Sequence, residues 1–219
     1  MPATAHYPPP PRSLAAAGLP PRVRRTLERA LSFVSTELDG GLSSLVSEFE
    51  QELFRLADHA RNPGLESGYM ATLRAFRANR ADLVPRFLLA LEGSIAAIRT
   101  PAPPPPPTPL DTASFGPLSL VEDTVMDEGT VLREIASRQE GRANLSLHLL
   151  GQRFGVLAAS PAFDAERLPL GPQCLCRAIA SAARTLEIEH DARLLLYRIF
   201  DRVVMPGYAR VLERLDAQL

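Results

Sequence analysis

The chain has 219 residues, of which 46% are hydrophobic and 22% charged, the composition of an ordinary soluble globular protein. Its formal net charge of -1 gives no electrostatic reason to expect nucleic acid or an anionic membrane as a ligand. All 24 cationic residues are arginine. The absence of lysine excludes a Walker phosphate loop, a Schiff-base enzyme and a protein kinase, because each needs a lysine at its reacting centre.

Residues 1–20 are rich in proline and alanine and show little apolar periodicity, which predicts a disordered or extended tail. The first residues lack the basic start and apolar stretch of a secretory signal. No apolar run approaches the ~18 residues of a membrane span, and two cysteines are too few for a disulfide framework. We therefore expect a cytoplasmic protein without membrane insertion.

Two helices are predicted before residue 62. Pro21 suits the entry of a helix, and apolar residues recur at steps of three and four from residue 23 to residue 38. The sequence Asp-Gly-Gly at 39–41 is a stop signal, after which the same spacing resumes over residues 42–56. The second helix is therefore expected to begin after the glycines and to end before Asn62.

A third helix is predicted over residues 69–98, again from apolar residues three and four positions apart. Pro85 lies inside this pattern and removes one backbone donor, so it must either bend the helix or mark a fresh start. Residues 21–98 are thus expected to form the N-terminal group of helices.

The segment 99–117 interrupts the helical pattern with a proline-rich run. Seven of the nine residues from Pro101 to Pro109 are proline, enough for an extended left-handed helix that spans roughly 28 Å. Two independent modules would have few helices each, and a bait role would require a partner with an aromatic groove for proline ridges. We predict a linker that acts as a spacer, across which residues 118–219 pack with 21–98 as one domain.

The second half is also predicted to be helical. Apolar residues spaced by three and four from 132 to 157 predict one long helix. Gly151 and Gly155 lie one turn apart in it and could let a neighbouring helix approach closely, but we favour ordinary tolerated helix glycines. A further helix begins after Pro172, and the last one is kinked at 206–207. The predicted fold is an all-α helical bundle of about six helices.

The two cysteines, Cys174 and Cys176, form a Cys-Leu-Cys sequence that invites a metal-site interpretation. Positions two apart on a helix point about 200° from each other, so the two thiols cannot bind one metal from regular helix geometry. The four histidines are far apart, and neither a GxSxG nor a GxGxxG motif is present. We expect buried apolar thiols and no catalytic residue, metal or cofactor.

A group of acidic residues precedes the long predicted helix, and it could be imagined as a calcium or catalytic cluster. It lacks the alternating oxygen ligands of a calcium loop, and carboxylates in the first turns of a helix are favoured by the helix dipole. We interpret the group as structural. Its members are Glu122, Asp123, Asp127 and Glu128.

Three arginines of the third predicted helix, Arg74, Arg77 and Arg80, have the helical spacing needed for a shared anion site. Arginines at this spacing are usually a solvated helix face. The alternative is that they bind a phosphate-bearing small ligand, such as a cyclic dinucleotide.

Four stretches resemble a large bacterial family called domain of unknown function 1631, and the resemblance covers about residues 42 to 219. They are SEFEQELFRLADHARNPGLESGYMATLRAF (47–76), GPLSLVED (116–123), LPLGPQCLCRAI (168–179) and LLLYRIFDRVVMPGYARVLERLDAQL (194–219). The resemblance implies a helix-rich fold, supplies no catalytic residues, and carries an association with cyclic-dinucleotide signalling. Because family members are longer, the chain looks like a short form or an N-terminal region.

These observations lead to an expected function. Recurrent helical stripes, a proline spacer and the absence of recognisable reacting groups favour a non-enzymatic module for protein interaction, a regulatory or scaffolding protein of bacteria. Its expected partner is another protein, with homo-oligomers as one form. The alternative is a sensor that binds a phosphate-bearing ligand through the three arginines.

The proline spacer generates a first prediction. Leu118, Leu120 and Val121 are expected to form an apolar anchor where the chain rejoins the core. Replacing residues 103–107 with glycine and serine should leave the fold intact at a small entropic cost, whereas Leu120→Asp should destabilise the whole protein. Calorimetry checks this, and two separate melting transitions, neither affected by Leu120→Asp, would make the segment a true domain linker.

Overall fold

The computed structural model describes residues 13–99 and 120–219, and over 120–127 it describes the backbone alone. These parts are helical and contain no strand, which confirms the all-α prediction. No helix among them has an apolar stretch long enough to cross a bilayer. The α-helices are α1 (Pro21–Asp58), α2 (Pro63–Ala96), α3 (Leu120–Arg142), α4 (Asn144–Ala158), α5 (Pro172–Ala183), α6 (His190–Val203) and α7 (Tyr208–Asp216).

Helix α1 is a single helix of 38 residues, so the stop predicted at 39–41 is wrong. Leu38, Leu42 and Leu45 are all buried, and the apolar stripe therefore continues straight through the two glycines. A Cβ added to Gly41 would lie 3.4 Å from the Cα of Val204, at the end of α6. Gly41 thus lies against the end of α6 at ordinary packing distance and does not end α1.

Helices α1 and α2 form an antiparallel hairpin, because the connection between them is short and they pack along their length. The side chain of Asn62 caps α2 by accepting a hydrogen bond from the amide of Leu65 at 2.8 Å. Helix α2 continues through Pro85 to Ala96, so the fresh start offered as one alternative is wrong. Tertiary packing around Leu83 and Phe87, which are fully buried, outweighs the lost backbone hydrogen bond.

Helix α5 lies at the centre of the molecule, packed against α2, α3 and α6. Nine of its twelve residues are buried, and only a narrow strip through Arg177 and Ser181 faces outward. Both cysteines are therefore buried although they point apart, because α5 has neighbours on both sides. The buried side chains form one cluster drawn from both sides of the proline-rich segment.

The beginning of the described chain packs onto α1 and α2. Leu14 is 3% exposed, and its amide donates a hydrogen bond to Glu92 Oε1 at 2.9 Å. The boundary of the predicted tail at residue 20 is therefore corrected, because residues 13–20 bury apolar surface in a groove of the bundle. The anchor predicted at Leu118, Leu120 and Val121 lies outside the residues whose side chains are described.

The prediction of one long helix over residues 132–157 is wrong, because the helix is interrupted at Ala143, between α3 and α4. Ala143 has φ -117° and ψ 23°, outside helical geometry. The amide of Ala143 still bonds the carbonyl of Gln139, and the amide of Leu147 bonds the carbonyl of Ala143. Since Ala143 and Leu147 are both buried, the apolar spacing continues across the break and conceals it.

Gly151 and Gly155 are required by close contact, so the favoured interpretation of tolerated helix glycines is wrong. The segment that approaches is a loop after α4 and not a helix. The amide of Phe163 donates to the carbonyl of Gly151 at 3.1 Å. A Cβ on Gly151 would lie 2.3 Å from the Phe163 carbonyl oxygen, and one on Gly155 would lie 2.9 Å from that of Pro161.

We predict opposite effects for two glycine substitutions within helices. Gly151→Ala should destabilise the protein by about 1–3 kcal/mol, because backbone of the loop must shift to admit the methyl group. Gly40→Ala is the matched control: nothing lies within 4 Å of its added Cβ, so it should stabilise α1 by about 0.5–1 kcal/mol. Denaturant titration measures both, and equal effects would contradict the close contact.

Candidate interaction surface

Helix α4 carries an exposed apolar stripe, defined as Leu145, Leu149 and Val156. Their side chains are 70%, 40% and 81% exposed. Successive residues of a helix turn by about 100°, which places the three within about 40° of one another around the axis. The three side chains therefore lie on one face of α4, where the exposed Gln152 separates Leu149 from Val156.

The opposite face of α4 is apolar as well, and it belongs to the core. Leu147, Leu150 and Phe154 are buried there, as predicted from their spacing. Helix α4 packs on α7 and α3, and the loop after it covers Gly151 and Gly155. A helix that is apolar on both faces is normally covered on both. Among the described residues, nothing covers the face that carries the stripe.

An acidic pocket, defined by Glu140, Asn144, His148 and Asp164, lies beside the stripe. It has a volume of about 270 Å³, and Leu147, Phe163 and Ala165 complete its wall. The Oε1 atom of Glu140 is buried and has no hydrogen-bond partner among the described residues. No arginine contributes to this lining, but Asp164 also lines a neighbouring pocket together with Arg99 and Arg167.

His148 connects the acidic pocket with the stripe. It follows Leu145 and precedes Leu149 on α4, and its Nε2 lies 2.9 Å from the Nε2 of Gln152. Gln152 lies just outside the arc of the stripe on the side of His148, about 20° from Leu145 and about 60° from Leu149. His148 is the lining residue nearest to the stripe, about 60° around the axis from Leu145 and about 100° from Leu149.

The edge of the stripe that faces away from His148 carries a cationic side chain. Arg153 lies on that edge, and its Nε is 2.6 Å from the Oδ1 of Asp216 on α7. This ion pair ties α4 to α7 and neutralises Asp216. The two edges of the exposed face thus differ, with the polar pair of His148 and Gln152 at one edge and a paired guanidinium at the other.

The strongest polar network lies elsewhere, between α3 and α6, and it is centred on Glu128. Oε1 of Glu128 accepts a hydrogen bond from Arg193 Nε at 2.8 Å and lies 3.0 Å from His190 Nδ1. Its Oε2 accepts a bond from the buried Tyr197 hydroxyl at 3.1 Å. Arg193 also donates to the Ile188 carbonyl at 2.7 Å. This network fastens α3 to the start of α6.

Burial disfavours the charged form of Glu128, but the hydrogen bonds from Arg193, His190 and Tyr197 outweigh it, so the pKa of this carboxyl lies below its ordinary value. Glu128 therefore has a structural role, but it stabilises the contact with α6 and not the helix dipole of α3. Glu128 is the ninth residue of α3, beyond the reach of the helix dipole, and it serves a tertiary ion pair. The side chains of Glu122, Asp123 and Asp127 lie outside the described part.

The arginines predicted as an anion site are on one face of α2, and two of them already have a carboxylate partner. Arg77 and Arg80 each lie 2.6 Å from one oxygen of Glu50 on α1. Arg74 donates from Nε to the carbonyl of Met70 at 3.2 Å. A hydrogen bond from Arg77, opposed by burial and reinforced by both positive charges, lowers the pKa of Glu50. A phosphate ligand would have to compete with Glu50.

The cysteines occupy the interior of the bundle. Cys174 Sγ lies 2.9 Å from the hydroxyl of Ser94 on α2. Burial, reinforced by the negative charges of Asp201 and Glu140, raises the pKa of Cys176 to about 12, which leaves a protonated thiol and a weak nucleophile at neutral pH. Within residues 13–99 and 120–219, no cluster of three or more histidine, cysteine or acidic side chains is placed to bind a metal.

Comparison with known proteins identifies the family. A family model described as "Protein of unknown function (DUF1631) N-terminal domain" matches residues 22–219. Because this match covers most of the sequence, the chain belongs to that family, and the resemblance seen in its motifs is confirmed. No curated protein and no solved structure matches the chain.

The sequence analysis missed the exposed stripe and the acidic pocket. It considered only the stripe that contains Leu147, Leu150 and Phe154, although Leu145, Leu149 and Val156 are also at helical spacing. The signal that could have revealed them is an apolar residue on both faces of a 15-residue helix. The pocket had no such signal, because Asp164 is in a loop and lines the same pocket as Glu140 only through the fold of that loop over α4.

The Glu128 network generates a pH-dependent prediction. Glu128→Gln should reduce the free energy of unfolding at pH 7 by about 1–3 kcal/mol, because it weakens charge-assisted hydrogen bonds to Arg193. The pKa of Glu128 is lowered in the folded state. Its stabilising effect is therefore complete above its ordinary pKa of about 4.3 and is lost as the pH falls through the lower folded value.

Urea unfolding of the wild-type protein and the Glu128→Gln variant, measured from pH 7 to pH 3, checks this prediction. The difference between the two proteins should narrow below about pH 4. A difference that is constant over the whole range would show that the charge of Glu128 does not stabilise the fold.

Proposed function

We propose that this protein is a non-enzymatic helical module for protein interaction, with a regulatory or scaffolding role, and that the exposed stripe of α4 is its docking surface. The observation that carries the proposal is the exposure of Leu145, Leu149 and Val156 on a helix whose other face is in the core. Its expected occupant is an apolar helical segment of another protein, because the stripe runs lengthwise along α4 at the spacing that helix-in-groove recognition uses.

The size of the stripe limits the strength of such a complex. Complete burial of a Leu or Val side chain contributes about 1.5–3 kcal/mol, and these three are already partly covered. Burying the rest supplies on the order of 3–6 kcal/mol before the entropic cost of association. A micromolar complex requires about 8 kcal/mol net. The stripe alone therefore supports a weak, reversible contact, and a tighter one needs additional polar contacts.

The alternative function, a sensor for a phosphate-bearing ligand, is not adopted. Arg77 and Arg80 are each paired with Glu50 at 2.6 Å, so their charges stabilise the α1–α2 hairpin. No described feature favours a phosphate there over Glu50, and the ligand hypothesis stays a prediction. A cytoplasmic location belongs to the proposal and is supported by the two free thiols in the core.

A pair of matched variants tests the docking surface. Leu145→Asp places a charge in the stripe, and Leu65→Asp places one on α2. Both leucines are in the first turn of a helix and are at least half exposed, where aspartate is favoured by the helix dipole. Leu145→Asp should keep the wild-type melting temperature and lose partner binding at least tenfold, whereas Leu65→Asp should change neither.

The measurement is quantitative mass spectrometry of proteins captured from the native lysate by the wild type and the two variants, followed by titration of the purified partner. A partner that binds wild type and Leu65→Asp equally, and Leu145→Asp at least tenfold more weakly, supports the docking surface. Partners that bind all three proteins alike would place the interaction elsewhere on the molecule.

A further inference from the structure

We infer that residues 8–12, Pro-Pro-Pro-Pro-Arg, dock in a groove between α1 and α2, next to the point where the described chain begins. The inference concerns other helices than α4, so it does not rest on the proposed function. It starts from two independent observations. The groove has an apolar surface that the described residues leave uncovered, and the chain already lies in one end of it at Leu14.

The groove has a volume of about 480 Å³. Its apolar lining comes from Leu31 on α1 and from Pro85, Leu88 and Leu89 on α2. Leu89 is 49% exposed, Pro85 is exposed as well, and the other two are half-buried. Among the described residues, nothing covers this surface, and docking of an apolar segment would remove it from water.

The described chain occupies one end of the groove and points toward the other. Leu14 is buried there, and its amide donates a hydrogen bond to Glu92 Oε1 at 2.9 Å. Because α1 and α2 are antiparallel, the groove extends from the level of Glu92 to that of Pro85, about 10 Å farther from the start of α1. Traced backward from Pro21, the chain runs from the start of α1 to the level of Glu92. Continued in the same direction, it would follow the remaining groove.

The segment that comes next has a suitable length and conformation. The four consecutive prolines at 8–11 exclude a regular α-helix and favour a left-handed extended helix of about 3.1 Å per residue. Residues 8–12 would then span about 15 Å, enough to cover the remaining groove. Proline rings present an apolar surface whose conformation is fixed in advance, so little conformational entropy is lost on docking.

Charge complementarity favours the same occupant. Residues 1–12 contain Arg12 and no acidic residue. The groove contains Glu28 and Glu92, and none of the described residues that line it is cationic. Glu28 has one ion pair, with Arg24 at 3.5 Å, and Glu92 has no cationic partner within the described part of the chain. Arg12 directly precedes the residues that enter the groove, so its guanidinium can reach Glu92.

The covalent attachment makes this segment a better occupant than a proline-rich segment of another protein. None of the described lining residues is aromatic, whereas separate proline-binding domains use aromatic grooves. An untethered segment would therefore bind weakly. Residues 8–12 are tethered at Ser13, which gives an effective concentration in the millimolar range, so a contact of about millimolar strength keeps them docked roughly half of the time.

The test measures how fast a thiol in the groove reacts with a soluble alkylating reagent. Ser32→Cys places a thiol at an exposed position of the lining. Ser47→Cys is the matched control, exposed on the same helix about 22 Å away and outside the groove. The native cysteines, Cys174 and Cys176, are 3% and 2% exposed, so the reagent reports on the introduced thiol.

Each variant is compared in the full chain with the native segment and with residues 8–11 replaced by Gly-Ser-Gly-Ser. The replacement retains Arg12, so the charge near the groove is unchanged. We expect the native prolines to slow the labelling of Ser32→Cys at least threefold and to leave that of Ser47→Cys unchanged. Equal labelling of Ser32→Cys with both segments would overturn the inference.

Substitutions of the charged pair test the position of the segment. Arg12→Gln and Glu92→Gln should each reduce the protection of Ser32→Cys by at least half. Together they should reduce it no further than either alone, because both remove the same interaction. Glutamine at position 92 can still accept the Leu14 amide, so the entry of the chain is retained. Additive effects would show that Arg12 does not reach Glu92 and would overturn the assigned position.

The source of the protection is identified by dilution of the purified protein. Protection by the segment of the same molecule is independent of protein concentration, whereas protection by a second copy declines on dilution. A decline would make a second copy the occupant and overturn the inference. Protection of Ser32→Cys that appears only after native lysate is added would assign the groove to another protein, with the same consequence.

Discussion

The burial of α5 among α2, α3 and α6 is the constraint on which the rest of the structure depends. Four of the nine buried residues of α5 are alanine, and these small side chains let the surrounding helices approach closely and fill the interior densely. Because α2 precedes the proline-rich segment and α3 and α6 follow it, α5 joins the two halves of the helical sequence in one core. Both cysteine thiols, those of Cys174 and Cys176, are buried in this packing.

Arginine ion pairs surround this core and connect its outer helices. Arg77 joins α2 to α1, Arg202 joins α6 to α1 through Glu48 at 2.6 Å, and Arg153 joins α4 to α7. Exposed pairs of this kind contribute only about 0–1 kcal/mol each, so the apolar core supplies most of the stability.

One face of α4 packs in the core, and no residue within 13–99 or 128–219 covers the other. The loop over Gly151 and Gly155 and the pair between Arg153 and Asp216 hold the helix in place. A surface that is already ordered loses less conformational entropy on binding, which suits a small docking stripe. Periodicity alone reveals that α4 is apolar on two faces. It does not reveal which face is outward, because that depends on where α3 and α7 pack.

The sequence by itself determined the all-α class and the helix starts at Pro21 and Pro172, because proline geometry and apolar spacing act within one element. It also determined the family, because whole stretches of the chain match that family. Only the tertiary structure decided that α1 passes through Gly41, that Gly151 admits a loop, and that Glu128 pairs with α6. The physical reason is that these outcomes depend on contacts between residues far apart in the chain. The spacing of apolar residues predicts that a residue is buried, but it does not predict which residue it contacts.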